Sequence, residues 1–159
     1  QPGAAEVQTT PVVRLTSEAE IHAAPAVIWK QLTEGKNLVT WCPLWKSPKN
    51  AGARLLKVGD SLDFTDQWGN GGRSVVTFLV PNQELRVAHE PQDASYLCQS
   101  RIMLTASGAT TKLAWIEQYT DGSPEADRNA TAAKMTDGMK GTLATLKAQA
   151  EAARAEAVR

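Results

Sequence analysis

Two residues of this chain, His89 and Glu117, are the candidates for proton chemistry. His89 continues the alternation Leu85, Val87, His89, which predicts an inward side chain at the end of a strand. A neutral imidazole there can donate to a ligand carbonyl or act as acid and base near neutral pH. The plainer reading is a hydrogen-bonded histidine at the rim of a sheet. Glu117 follows Leu113 and Trp115 on one side of a strand, with Tyr119 beyond. An inward carboxylate among aromatic rings needs a partner, because desolvation disfavours its charge. Arg101 and Arg73 can serve if either faces inward. A slip of one residue puts Gln118 inside and Glu117 in solvent, so two registers stand open.

The residues expected to surround a bound molecule are Phe64, Phe78, Tyr96, Ser100 and Trp115 from strands, and Met135 and Met139 from a helix. Tyrosine, serine and tryptophan offer hydrogen-bonding tips beside apolar surface, and methionine adapts to irregular shapes. Ordinary core packing explains each methionine equally well. Asp66, Trp68 and Arg73 flank a glycine-rich turn and form either a mouth or a solvated turn. Trp41 and Trp45 border an expected entrance or anchor a short helix. The turn Gly69-Asn70-Gly71-Gly72 lacks a phosphate-loop lysine and a dinucleotide fingerprint. The triplet Asn129-Ala130-Thr131 matches a glycosylation acceptor but falls inside a predicted helix.

The element that must position these residues is the last third of the chain. Ser123 is placed to cap a helix, Pro124 suits its first position, and Glu125 and Asp127 complement the dipole. Ala132, Met135, Met139, Leu143 and Leu146 then share one face. Gly138 and Gly141 each cost about 1 kcal/mol relative to alanine within a helix. Close approach of a sheet, or of a bound molecule, is expected to offset that. The end from about Glu151 is expected to overhang or fray. Upstream, a half-buried strand covers Val12 to His22, and short helices are predicted from Pro25 to Thr33 and from Lys36 to Trp41. About six meandering strands follow between Leu55 and Thr120. This order is α+β, not an alternating βαβ one.

The chain has 159 residues, with 17 basic and 17 acidic side chains and a formal net charge of zero. One domain is expected from residue 11 to 159, after a flexible leader over residues 1–10. Charge balance argues against nucleic acid as a partner, and no apolar run reaches the length of a membrane span. The leader suggests a mature chain left after removal of a signal peptide, hence a periplasmic or secreted protein, with a trimmed or cytoplasmic chain as the alternative. Cys42 and Cys98 either pair in an oxidising compartment or stay as two buried thiols. His22 and His89 stand in no ligand spacing, so no metal is expected.

Several strings occur in an order that resembles the helix-grip fold of the START/Bet v1-like (SRPBCC) superfamily, including its bacterial polyketide cyclase/dehydrase-like members. They are Glu20-Ile21-His22-Ala23-Ala24-Pro25, Val27-Ile28-Trp29, Trp41-Cys42-Pro43, Val58-Gly59-Asp60, and Met139-Lys140-Gly141-Thr142-Leu143 with Leu146-Lys147. The resemblance covers about Val12 to Ala150. It implies a curved antiparallel sheet of about seven strands gripping a long C-terminal helix, with two short helices after the first strand. It also implies an apolar cavity between sheet and helix that holds lipids, sterols, polyketides or hormones, and in some members supports cyclisation or dehydration. No catalytic set of the family can be placed on this chain.

These readings lead to a binding protein for a hydrophobic or amphipathic, lipid- or polyketide-like molecule, with no cofactor implied. A cyclase- or dehydratase-type enzyme using His89 and Glu117 is one alternative. A structural or interaction domain with a filled core is the other. Oligomeric state is left open.

Overall fold

A computed structural model describes residues 9–157. Most of the expected leader lies outside the described residues. Strand β1 (Val12–Ile21) leads into helices α1 (Pro25–Thr33) and α2 (Gly35–Trp41) and two short 3-10 turns. Strands β2 (Ser61–Thr65), β3 (Gly71–Val80), β4 (Glu84–Pro91), β5 (Cys98–Ser107) and β6 (Thr110–Thr120) follow, and helix α3 (Glu125–Ala157) closes the chain. The architecture is the α+β arrangement expected, with a curved sheet and a long C-terminal helix.

The described sheet has six strands, all antiparallel, in the order β1-β6-β5-β4-β3-β2. The sequence suggested about seven. The stretch from Leu55 to Asp60 forms no strand, because its backbone bonds go elsewhere. Leu55 N–H donates to the Thr33 carbonyl, and the Asp60 carboxylate takes the N–H groups of Leu56 and Lys57.

Helix α3 packs on β1, α1 and α2. At about 1.5 Å per residue its 33 residues span about 50 Å. Its burial is uneven, and that unevenness makes the cavity. Leu143, Leu146 and Ala150 are buried in the core beside Ile21, Ile28 and Leu113. One and two turns upstream, Met139 and Met135 are only half-buried. The distal end does not fray at Glu151. The Glu151 carboxylate accepts the His22 N–H at 2.9 Å, and Arg154 donates to the His22 carbonyl at 3.4 Å. Ser123 turns its hydroxyl back to Asp121 instead of into the first turn of α3.

Candidate functional site

Between the inner face of the sheet and the upstream half of α3 lies a cavity of about 670 Å³. This exceeds the roughly 300 Å³ at the lower end of small-molecule sites. Phe64, His89, Trp115 and Glu117 border it from the sheet, Tyr96 from the loop before β5 and not from a strand as expected, and Met135 and Met139 from the helix. Gly138 stands between the two methionines, and a Cβ built on it meets no atom within 4 Å. Gly141 is equally open but faces away from the cavity. The expected close approach of the sheet to these glycines is therefore absent. At Gly138 the free space belongs to the cavity.

The register of β6 puts Glu117 inside and Gln118 outside. Leu113, Trp115 and Tyr119 are buried on the same face, and Gln118 is exposed. Neither expected arginine reaches Glu117. Arg101 pairs with Glu84 at 3.0 Å, and Arg73 donates to Ser61. Three neutral donors hold the carboxylate instead. The Trp115 indole N–H reaches Oε1 at 2.6 Å, the Ser100 hydroxyl donates to the same oxygen, and the Cys98 thiol meets Oε2 at 3.3 Å.

His89 is the middle of a hydrogen-bond chain that ends on this carboxylate. The ring is 6% exposed, and Ser74 and Ser100 on either side are 1% exposed. Nδ1 lies 2.8 Å from Ser74 Oγ, and Nε2 lies 2.7 Å from Ser100 Oγ. Trp45 Nε1 donates to Ser74 Oγ at 2.8 Å. Donor arithmetic fixes the order. Ser100 spends its proton on Glu117, so it accepts from His89 Nε2–H. The other ring nitrogen of a neutral imidazole is then an acceptor, and Ser74 donates to it. Every bond in Trp45–Ser74–His89–Ser100–Glu117 points the same way. Burial pushes the His89 pKa down, and the Glu117 charge offsets part of that.

Trp45 packs against the imidazole with ring centroids 6.1 Å apart, and Phe64 meets it edge-on at 5.9 Å. Trp45 is thus a buried anchor beneath the cavity. Trp41 is also an anchor, donating to the Gln31 carbonyl and meeting Trp115 edge-on at 6.0 Å. Asp66 and Trp68 lie at the mouth, where Asp66 takes the N–H groups of Trp68 and Asn70 and the Tyr96 hydroxyl. Arg73 points to the outer face.

Two of the expected lining residues sit elsewhere. Ser100 lies behind the wall as the link between His89 and Glu117. Phe78 is on the outer face, 39% exposed, with the Arg86 guanidinium 4.5 Å above its ring. The cause is a register shift between Val76 and Phe78. The extra residue reverses the alternation, so Leu79 opposite Leu85 takes the inward place.

Cys42 and Cys98 are free thiols. Burial pushes the Cys42 pKa up to about 12, and burial with the Glu117 charge beside it raises that of Cys98 further. Neither is an activated nucleophile. The spacing argument against a metal overlooked what folding assembles. Ligand atoms of His89, Cys98 and Glu117 lie within 4.8 Å of one another. Both His89 nitrogens already face serine hydroxyls, so a metal ion has to displace Ser100 from Nε2. Tyr119 was also passed over as a site residue, although it continues the Trp115, Glu117 alternation. It borders the cavity, and its buried hydroxyl has no hydrogen-bond partner among the described residues.

No family model and no curated protein matches this chain. Solved structures do match its fold. DynU16, a protein of the dynemicin biosynthetic locus, is similar with a TM-score of 0.66 and 16% identity over 89% of this chain. The chain spans about half, 48%, of the length of DynU16. The protein SA2116 from Staphylococcus aureus is similar with a TM-score of 0.67 and 10% identity, over 94% of this chain and 97% of that one. The Aha1 protein from Colwellia psychrerythraea, solved as a dimer, is similar with a TM-score of 0.62 and 20% identity, over 87% of this chain and 96% of that one. Identities this low establish a shared fold and leave function to the site. What these structures share with this chain is a helix-grip-like fold, a curved antiparallel sheet with a long C-terminal helix.

Proposed function

We propose that this protein binds a hydrophobic or amphipathic small molecule between the sheet and the upstream half of α3. The observation that supports it best is the 670 Å³ cavity, walled by aromatic rings and two methionines and carrying one inward carboxylate. A filled core does not leave such a space. Transfer of an apolar ligand from water gains about 25 cal/mol per Å² buried, and the few polar groups orient it. A lipid- or polyketide-like ligand suits the volume, and export from the cytoplasm is part of the same reading.

Gly138 supplies the test. Gly138→Leu fills the cavity from its helical side while replacing a poor helix former by a good one. Binding of the neutral fluorophore N-phenyl-1-naphthylamine is expected to be lost in this variant. Gly141→Ala, on the same helix but away from the cavity, is expected to bind normally. Both variants are expected to gain up to about 1 kcal/mol of stability in urea unfolding. Unchanged fluorophore binding in Gly138→Leu contradicts the proposal.

The His89–Ser100–Glu117 chain favours a second reading, an acid–base enzyme of cyclase or dehydratase type. Glu117 is then the group that meets the substrate, and His89 acts through Ser100. That reading requires a bound compound to be chemically altered by the wild type and recovered unaltered from Glu117→Gln, as mass spectrometry of the extracted ligand can show.

A further inference from the structure

Among the described residues, Glu117 is a carboxylate without a cation. Five ion pairs join side chains among the described residues, and none includes Glu117. The nearest imidazole, His89, is neutral in the hydrogen-bond order derived above. The donors that reach Glu117 are a hydroxyl, an indole N–H and a thiol. Hydrogen bonds satisfy its lone pairs but leave its charge, and a charge in an apolar wall calls for an opposite one. Oε1 is occupied by two strong donors. Oε2 has only the thiol, a weak donor, and retains acceptor capacity.

The surroundings point the same way. Asp66, Glu117 and Asp121 border the cavity against a single amine, that of exposed Lys134. The Tyr119 hydroxyl is buried, at 7% residue exposure, and has no partner among the described residues.

We propose that the ligand of this cavity is a lipophilic cation, an amphiphile whose polar end is an ammonium group seated on Glu117 Oε2 beside the Tyr119 hydroxyl. The inference rests on the binding reading above and narrows it to one class of ligand. A fatty acid or other anionic amphiphile meets the uncompensated carboxylate and is disfavoured.

The test uses three probes with one tail: decylammonium, decanol and decanoate, each competing against N-phenyl-1-naphthylamine at neutral pH. A charge-assisted hydrogen bond is worth enough to give decylammonium at least about tenfold higher affinity than decanol. Decanoate is expected to be the weakest. In Glu117→Gln, which keeps the side-chain shape, the preference for decylammonium over decanol is expected to fall to within about twofold, with decanol unchanged. In Glu90→Gln, which removes an exposed carboxylate that does not border the cavity, the preference is expected to persist. If decanol or decanoate binds wild type as well as decylammonium does, the cation inference is overturned and the cavity reading stands. The same holds if the preference survives in Glu117→Gln. Should none of the three displace the fluorophore, both readings fall. The order of the three probes on wild type decides the matter even if Glu117→Gln does not fold.

Discussion

Gly35→Ala is expected to lose more than about 4 kcal/mol of stability, a large share of the typical margin of about 5–15 kcal/mol. A Cβ at Gly35 lies 1.8 Å from the Asn50 carbonyl oxygen and 2.8 Å from that of Ala53. Both are backbone atoms, so no side chain can swing aside. The segment cannot retreat either. Gly35 N–H donates to the Ala53 carbonyl at 2.7 Å, and Leu55 N–H to that of Thr33 at 2.8 Å. Asn50, only 2% exposed, donates to the carbonyls of Trp45 and Asp63 and accepts the Asp63 N–H. Moving the loop breaks those bonds and shifts Trp45, on which the hydrogen-bond chain to Glu117 begins. Core overpacking usually costs about 1–3 kcal/mol, and here it falls on rigid backbone at two contacts. Gly52→Ala is the control, because its added Cβ meets nothing within 4 Å. Urea unfolding of both variants checks the expectation. A Gly35→Ala protein within about 1 kcal/mol of wild type contradicts it.

Gly35 also shows where sequence reading stops. It opens α2 directly after the cap of α1, but its necessity comes from a loop 15 residues onward that no local pattern reveals. The same division runs through the site. The apolar face of α3 was legible, because Leu143 and Leu146 share a helical stripe that packing alone requires. The hollow beneath Met135 and Met139 was expected only through the family resemblance, because half-buried and buried methionines look alike as letters. Alternation along β6 narrowed Glu117 to two registers, and only pairing with β1 and β5 selects one. On β3 alternation misled: the shift after Val76 carries Phe78 to solvent, and nothing in Val-Val-Thr-Phe announces an extra residue. The partners of His89 come from β3 and β5, so their hydroxyls meet the ring only once three strands are in register. Cys98 and Ser100 are two residues apart on β5 and share a face by alternation, yet the Cys98 neighbour Glu117 is 19 residues away. Strand parity says which side chains face inward. It does not say which of them touch.

His89→Ala is expected to cost about 3–5 kcal/mol at pH 8, the range for removing a large buried ring together with its hydrogen bonds. It leaves the Ser74 hydroxyl without an acceptor in a dry interior, while Ser100 keeps Glu117. The cost is expected to shrink as pH falls, and this dependence distinguishes a neutral, buried histidine from a merely bulky one. Burial lowers the folded-state pKa of His89 below the ordinary 6.5, against a smaller opposing effect of Glu117. The unfolded chain therefore binds a proton below about pH 6.5 while the folded chain still refuses it. Stability from the neutral ring is complete above that pH and declines on acidification, by up to about 1.4 kcal/mol per pH unit, until the folded-state pKa is passed. The hydrogen-bond order explains the refusal. A protonated ring donates from both nitrogens, but Ser74 already accepts the Trp45 N–H and must then turn its own proton away from the only acceptor it has. Carboxylates elsewhere, such as Glu84 and Asp121, titrate in both proteins and cancel in the difference between their unfolding free energies. That difference, followed by urea unfolding from pH 8 to pH 5, is expected to narrow steadily below about pH 6.5. A constant gap means that His89 takes up its proton equally in the folded and unfolded chains, and the one-way chain from Trp45 to Glu117 is then not the ground state of this protein.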